Sequence, residues 1–166
     1  MARPKKKTSD GIALRGFAKI NLVNADTGAV EYESPWYPNA ITNTGMTIIC
    51  QALGHTGASS ASFASYMDVA TQSTAVNVTQ TEALGPFGQR QTVNRTTGTS
   101  GNSFINSFTA SWNSTQATAS NLGALAMYGT DTGNSAYSIV LLTQTVSKSN
   151  TQTMNATYEW RFVTTT

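Results

Sequence analysis

The tripeptide Asp-Thr-Gly occurs twice in the sequence, beginning at Asp26 and at Asp131. Paired loops of this kind bring two carboxylates together in aspartic proteases, where the two acids share a proton. Such a pair needs apolar residues just ahead of each aspartate, and here the preceding residues are 24–25 (Asn-Ala) and 129–130 (Gly-Thr). Asp-x-Gly is also an ordinary turn between strands. We therefore interpret both copies as turns and predict no protease.

Other residues with reactive side chains are sparse. Cys50 is the only cysteine and His55 the only histidine, which are too few for a zinc site built from the usual ligands. No nucleophile-elbow motif accompanies His55, and residues 85–88 (Gly-Pro-Phe-Gly) lack the Lys-Ser/Thr of a phosphate loop. No pair stands out for glycoside hydrolysis among the candidate carboxylates, which are Glu31, Glu33, Asp68, Glu82 and Glu159. We predict that the protein is not an enzyme and that it binds no metal or cofactor.

The last thirty residues carry the clearest structural signal. The segments 136–144 and 154–163 are rich in strand-forming residues, and in each segment successive residues belong to two alternating rows. This alternation is typical of half-buried antiparallel strands. Residues 148–151 (Lys-Ser-Asn-Thr) form a polar segment between them. The pattern predicts a hairpin whose aromatic row, which includes Tyr158 and Trp160, faces inward. Since a lone hairpin is unstable in water, the rest of the chain must supply further strands.

Several other segments are expected to be strands or loops. The expected strands are 12–22 (bent at Gly16), 29–33, 63–70, 104–112 and 122–128. Pro35 and Pro38 bracket a rigid segment, which contains Trp36 and Tyr37 and either crosses the sandwich or lies on its surface. Residues 71–91 are poor in apolar side chains, so we expect a long surface excursion of the kind that often carries contacts.

One segment has the spacing of a helix. Residues 42–44 (Thr-Asn-Thr) can cap its start, and Gly54 ends it. The apolar residues at helical spacing are Met46, Ile49, Cys50 and Leu53. The pattern predicts a short helix that plugs an open end of the sandwich, with Cys50 buried as a small hydrophobic side chain.

Together these segments predict an all-β protein. We expect a single-domain β-sandwich over residues 12–166, jelly-roll or immunoglobulin-like, with about eight strands and one short helix. Only 11% of the 166 residues are charged, against about a quarter in ordinary domains. A surface with so few charges has a low desolvation cost when a neighbour covers it. The composition therefore favours a protein that is part of a larger assembly. We expect no membrane span and no secretory signal.

Residues 1–11 form a basic extended arm ahead of this domain. Its charges are Arg3, Lys5, Lys6 and Lys7, against the single acid Asp10. The arm has three interpretations: a contact with phosphate groups, a clamp on an acidic protein neighbour, or a solubilising tail. Three consecutive lysines without interleaved aromatic residues make a poor nucleic-acid site, so we do not expect nucleic acid to be the partner.

The order of these features resembles that of small β-sandwich virion proteins of tailed bacteriophages. Their pattern begins with a first strand and turn, here 17–28, and an Asn-x-Ile/Val-x-Asn-x-Gly helix opening, here 39–45 (Asn-Ala-Ile-Thr-Asn-Thr-Gly). An aromatic strand follows, here 63–67 (Phe-Ala-Ser-Tyr-Met), and then a Leu-bearing acidic segment that leads to an arginine, here 81–90. The pattern closes with a Thr-rich hairpin, here 146–162.

This resemblance, which spans residues 15–163, implies a structural role in a virion. It implies a capsid cement (decoration) protein on the capsid surface, whose partner is the major capsid protein or another virion protein. Such proteins typically sit as homotrimers at three-fold positions and use extended arms to lace neighbours together. We expect the partner contacts to come from the basic arm and from the loop aromatics Trp36, Tyr37 and Phe87.

A second hypothesis is a tail, neck or fibre component with a carbohydrate-binding β-sandwich. Sugar binding would need exposed aromatic rings beside polar side chains, and Trp36, Tyr37 and Phe87 are again the candidates. The alternative for these rings is packing on the core or on a protein partner. A third hypothesis places the arm on the inner capsid surface against packaged DNA, which predicts salt-sensitive DNA retention by the isolated protein.

Overall fold

The computed structural model describes residues 11–54, 63–133 and 135–165. These residues form ten strands and one helix, which confirms the all-β fold with one short helix. The elements in chain order are β1 (Gly11–Asn24), β2 (Val30–Glu33), β3 (Tyr37–Ile41), α1 (Asn43–Gly54), β4 (Tyr66–Ala70), β5 (Gln91–Thr92), β6 (Asn94–Ser100), β7 (Ser103–Trp112), β8 (Ala119–Tyr128), β9 (Ala136–Lys148) and β10 (Gln152–Thr165).

The strands lie in two layers around one core. We call β2, β1, β10, β7 and β6 the front sheet, and β5, β4, β8 and β9 the back sheet; all the pairings are antiparallel. Strand β3 joins the two sheets, because Tyr37 and Pro38 pair with β1 whereas Asn39 to Ile41 pair with β9. The strand path therefore nearly closes into a barrel-like sandwich.

Strands β9 and β10 do not form the predicted hairpin. β9 pairs with β8 and β3 in the back sheet, whereas β10 pairs with β1 and β7 in the front sheet. The two strands face each other across the core, where the Tyr158 hydroxyl donates to Ser138 Oγ at 2.9 Å. The inward row of β10 is confirmed, since Tyr158 and Trp160 are buried. Alternation shows which side chains point inward, but it is the same in a hairpin and in an arch between sheets.

The described part of the chain has ten strands where the sequence predicts about eight, and β3 and β6 are among those without a clear sequence signal. β3 contains Pro38, which suits a strand end where the chain changes sheets. β6 is exposed at every residue and therefore shows no apolar alternation. In β1 the pairing with β10 passes Gly16 without a register shift. Gly16 instead makes room for the Asn39 side chain, which an added Cβ would overlap.

The expected surface excursion instead covers the outer face of the back sheet. This segment, residues 71–90, closes a second small core, whose buried members are Ala70, Ala83, Ala124, Ala126, Tyr128, Ala136 and Ile139. Small side chains let its backbone approach closely; a Cβ added at Gly123 would overlap the Gln72 carbonyl oxygen. The Gln72 side chain also accepts hydrogen bonds from Gln80 Nε2 at 2.7 Å and from the Leu84 N–H at 2.9 Å.

Helix α1 forms where the spacing predicts it. Thr42 caps its start, because Thr42 Oγ1 accepts a hydrogen bond from the Gly45 N–H at 3.1 Å. Ile48 and Ile49 pack on the main core. Cys50, however, is exposed, so the prediction that it is buried is wrong. The buried side of the helix runs through Gly45, which turns the packing face away from Cys50.

Candidate functional site

The front sheet carries an exposed apolar row at one end. Strand pairing sets Leu14, Phe162 and Phe104 side by side, on the face that holds the core residue Ala18. Ala18 is fully buried, but Phe104 is 64% exposed, and Ile12, on the same face of β1 as Leu14, is 75% exposed. Leu14 and Phe162 are half-buried and pack against the main core, so the inner face of the sheet passes from the core into solvent at Ile12 and Phe104. We call Ile12, Leu14, Phe104 and Phe162 the apolar end.

A groove of about 600 Å³ opens beside the apolar end. Strand β3 pairs with β1 only at Phe17 and Ala18, so it leaves the front sheet there. Within the part of the chain that the structure describes, residues 12–16 pair only with β10. The groove lies between this part of β1 and the start of α1, and Ile41 and the exposed Met46 line its far side. Clustered exposed apolar side chains of this kind mark interaction sites.

The sequence alone does not reveal that Ile12 and Phe104 are exposed. Its pattern places Ile12 and Leu14 on one face of β1, Phe162 in the inward row of β10 and Phe104 in a strand, and it does not distinguish their exposure from that of the core residues. Strand alternation gives the face on which a side chain lies, whereas its exposure depends on how far the opposite sheet extends. The extent of the opposite sheet depends on where β3 leaves β1, and the proline-containing sequence of β3 does not indicate a strand.

Trp36 lies on the front sheet's outer side among charged side chains. Its residue is 38% exposed, and its ring centroid lies 5.3 Å from Lys19 Nζ and 5.5 Å from Arg161 Cζ. Both cations also have carboxylate partners: Lys19 pairs with Glu33 at 2.9 Å and Arg161 with Glu159 at 2.6 Å. Cation–π contacts at exposed sites contribute about 0.5–1 kcal/mol each. The two cations therefore fix the position of the Trp36 ring, and they and their carboxylate partners surround it with hydrogen-bonding groups.

The other two expected contact aromatics do not join Trp36 on this surface. Tyr37 is 3% exposed and belongs to the main core, so its side chain is not available to a partner. Phe87 is half-buried and packs against the same core from residues 71–90. The sequence places the proline-bracketed segment in a loop, but β3 begins at Tyr37 and its first side chain turns inward, whereas Trp36, just before the strand, lies on the outer side.

The expected contact residues of the basic arm, Arg3, Lys5, Lys6 and Lys7, lie outside the described residues, as does His55. The structure does show where the arm joins the fold. Strand β1 begins at Gly11, one residue before Ile12 of the apolar end. The arm and the apolar end are therefore neighbours along the chain.

Both Asp-Thr-Gly copies begin in exposed connections between strands. Asp26 is exposed in the turn after β1, and Asp131 is exposed between β8 and β9. The Asn24 side chain accepts hydrogen bonds from the Asp26 and Thr27 N–H groups at 3.1 and 3.0 Å, as in an Asx-turn. Among the described residues, no group of three or more His, Cys, Asp or Glu is placed to hold a metal ion.

Asp68 is the one deeply buried carboxylate of the described chain. It lies on β4 beneath residues 71–90, and it accepts hydrogen bonds from the Val69 N–H at 2.8 Å and the Gly88 N–H at 3.1 Å. Burial raises the pKa of Asp68, and these donors and the charge of Arg90 oppose the rise. Arg90 stacks 3.6 Å from the Tyr128 ring centroid and donates to two turn carbonyls. The cluster fastens residues 71–90 to the back sheet.

Replacing Asp68 by asparagine is expected to flatten the pH dependence of stability. The pKa of Asp68 is raised in the folded state. The protonated carboxyl therefore contributes fully to stability below the unfolded-state pKa, and this contribution is lost as pH rises through the folded-state pKa. The natural protein should therefore lose stability relative to Asp68→Asn as pH rises from about 4, near the unfolded-state pKa, while the variant keeps a constant offset for its altered hydrogen bonds. Melting temperatures from pH 3 to pH 8 measure this. Asp131→Asn, in an exposed turn, is the control; an unchanged slope in Asp68→Asn would contradict the assignment.

Comparison with known proteins gives no relative. No protein-family model, no curated protein and no solved structure matches the chain. Within the described residues, no helix is both long and apolar enough to cross a membrane. The functional proposal therefore depends on the geometry of this chain and on the resemblance in its sequence.

Proposed function

We propose that this protein is a virion structural protein, a capsid cement protein that binds the major capsid lattice and stabilises the particle. The observation that carries the proposal is the apolar end, where Ile12 and Phe104 are largely exposed at the point from which the basic arm departs. An uncovered apolar face of this kind, beside a free strand edge and a groove, is suited to contact with another protein. It offers adhesive area without reactive groups.

The arm and the apolar end support a two-part attachment. Residues 1–10, ahead of β1, reach across a neighbouring major capsid subunit, where their positive charges meet acidic side chains, while the apolar end buries Ile12 and Leu14 against the same shell. Copies group as homotrimers at three-fold positions of the capsid surface, and each copy repeats the same moderate contacts. Repetition around a symmetric lattice gives high occupancy without a deep pocket.

Removing residues 1–10, or replacing Ile12 by serine, is expected to weaken binding to the capsid shell at least about tenfold, because each lost contact is repeated around the lattice. The measurement is co-sedimentation of the purified protein with capsids that lack it, followed by the heat resistance of the loaded particles. Ile12 is 75% exposed, so its replacement should leave the melting temperature of the free protein nearly unchanged.

Leu84→Ser is the matched control for this experiment. Leu84 is also an exposed apolar residue, at 56%, but it lies in residues 71–90 over the back sheet. Its replacement should leave capsid binding unchanged. Full occupancy and unchanged heat resistance after both the arm deletion and Ile12→Ser would contradict the proposal.

The second candidate is a tail, neck or fibre component that binds carbohydrate, and the surroundings of Trp36 favour it. A partly exposed indole ring beside Lys19, Arg161 and two carboxylates offers both a stacking surface and hydrogen-bonding groups. A glycan array with the isolated protein and with Trp36→Ala distinguishes the candidates. Glycan binding that Trp36→Ala abolishes would favour this second function over the first.

A further inference from the structure

We propose that β6 is a self-association strand, through which two copies of this chain pair β6 to β6 in antiparallel orientation and join their front sheets. Among the described residues β6 ends the strand order and pairs only with β7, over seven residues and without a register shift. All seven residues are exposed. An edge strand of this kind presents unpaired N–H and C=O groups to a second strand. This inference goes beyond the proposed function and does not rest on it.

Three other strand edges of the described chain are shorter or more highly charged. β5 has two residues, and β2 has four, of which Glu31 and Glu33 are charged. The part of β1 that lacks a second neighbour has five residues, 12–16, and carries Arg15. Proteins commonly block edges with short strands, charges, proline or bulges. β6 has no proline and no lysine, and Arg95 is its only charge. β6 is therefore longer and less protected by charge than each of these edges.

The sequence of β6 is suited to pairing with itself. An antiparallel pair centred on Thr97 uses all seven residues, Asn94 to Ser100, of both strands. In this register each Arg95 lies opposite a Thr99, so no charged residue faces another. The two arginines are four residues apart along the strands, or about 13 Å. In self-pairing the sequence of β6 itself keeps the two Arg95 side chains apart. A strand of another protein has no such built-in spacing, so a second copy of this chain is the favoured partner of the edge.

Self-pairing would also cover the most exposed aromatic ring of the apolar end. Phe104 lies opposite Thr99 in the β6–β7 pair, so Arg95 of a second copy would lie on the same face, two strands away. Two strand spacings amount to about 10 Å, a gap that a phenyl ring and a long guanidinium side chain can close. In the single chain Arg95 has no ion pair with a described carboxylate, and its nearest ring contact is Phe63, at 6.0 Å. Each copy would then place a cation over the other's Phe104.

Cysteine cross-linking tests the register directly. Thr97→Cys is made in the full-length Cys50→Ser protein, because Cys50 is exposed and would otherwise react. Directly opposed residues of antiparallel strands have Cβ atoms about 4.5–5.5 Å apart, close to the separation that a disulfide needs. With oxidised glutathione as the oxidant, we expect a disulfide-linked dimer on a non-reducing gel. Thr109→Cys is the matched control, since Thr109 is exposed on β7 rather than on the edge.

A second variant tests the association without a cross-link. Thr97→Lys in the otherwise natural chain places two lysines opposite each other at the two-fold axis, where like charges destabilise the pair. Sedimentation velocity over a concentration series should show self-association of the natural chain and a dissociation constant several-fold higher for the variant. The proposal is overturned if Thr97→Cys forms no more dimer than Thr109→Cys, or if Thr97→Lys associates as tightly as the natural chain. Capsid binding is measured separately with the arm deletion and Ile12→Ser, which leave β6 unchanged.

Discussion

Replacing Trp112 by alanine is expected to lower the free energy of unfolding by about 3–5 kcal/mol. Trp112 ends β7 and is fully buried in the main core. Its indole Nε1–H donates to the Gln89 carbonyl oxygen at 2.9 Å, so the side chain also holds residues 71–90 near their C-terminal end. The change leaves a large cavity and an unpaired carbonyl together. Chemical denaturation, followed by circular dichroism, measures the loss.

Two variants separate the contributions at Trp112. Trp112→Phe keeps most of the ring volume but removes the indole donor, so it should lose clearly less stability than the alanine variant. Phe104→Ala is the control for removing an aromatic ring from β7; Phe104 is 64% exposed, so the change should stay within about 0.5 kcal/mol. Equal losses for Trp112→Ala and Phe104→Ala would show that burial along β7 is not distributed as described.

The contrast along β7 also shows what the sequence can predict. The apolar residues Phe104, Phe108, Ala110 and Trp112 are separated by two or four positions and predict a strand, and β7 confirms it. Phe108 and Trp112 are buried whereas Phe104 is exposed, although their chemistry is alike. A period of two assigns side chains to the two faces of a strand, but it carries no information on where the opposite sheet ends. The strand is therefore predictable, and the exposed end that forms the candidate site is not.

The wrong hairpin has a related physical cause. Ser149 to Thr151 connect β9 to β10 in the sequence as a hairpin turn would, but the two strands belong to different sheets. Pairing partners are decided by which strands lie on either side, and those contacts are distant in sequence: β10 pairs with β1 along its whole length. Local pattern alone cannot show that pairing. It does show that Tyr158 and Trp160 point inward.

Small residues give the least information about which segments of the chain will pack together. Residues 71–90 contain few large apolar side chains, so their composition predicts a free surface segment. They pack because Ala124 and Ala126 on the back sheet are small enough for a backbone to lie against them. Hydrophobicity patterns give alanine and glycine little weight, yet these residues set how closely two backbones approach. The same limitation explains why the pattern places Met46 and Cys50 with Ile49 on the packing face of α1, although Met46 and Cys50 are exposed.

Replacing Gly45 by alanine is expected to destabilise the protein by at least about 2 kcal/mol, although the same change in an ordinary helix stabilises it by up to about 1 kcal/mol. A Cβ on Gly45 would overlap the Tyr137 carbonyl oxygen of β9 and would lie 2.8 Å from the carbonyl carbon. Because the obstacle is backbone, it cannot be relieved by a rotamer change, and the helix start must move. Thermal and chemical denaturation of the variant measure the effect.

Gly98→Ala is the matched control for this sign reversal. A Cβ at Gly98 meets nothing within 4 Å, and replacing glycine within a strand is expected to be neutral or stabilising by up to about 1 kcal/mol. The two variants add the same methyl group, so a difference in sign isolates the contact between α1 and Tyr137. If Gly45→Ala were as stable as the natural chain, the helix start could not be seated on β9. The groove beside Met46 would then not have the shape on which the capsid proposal partly depends.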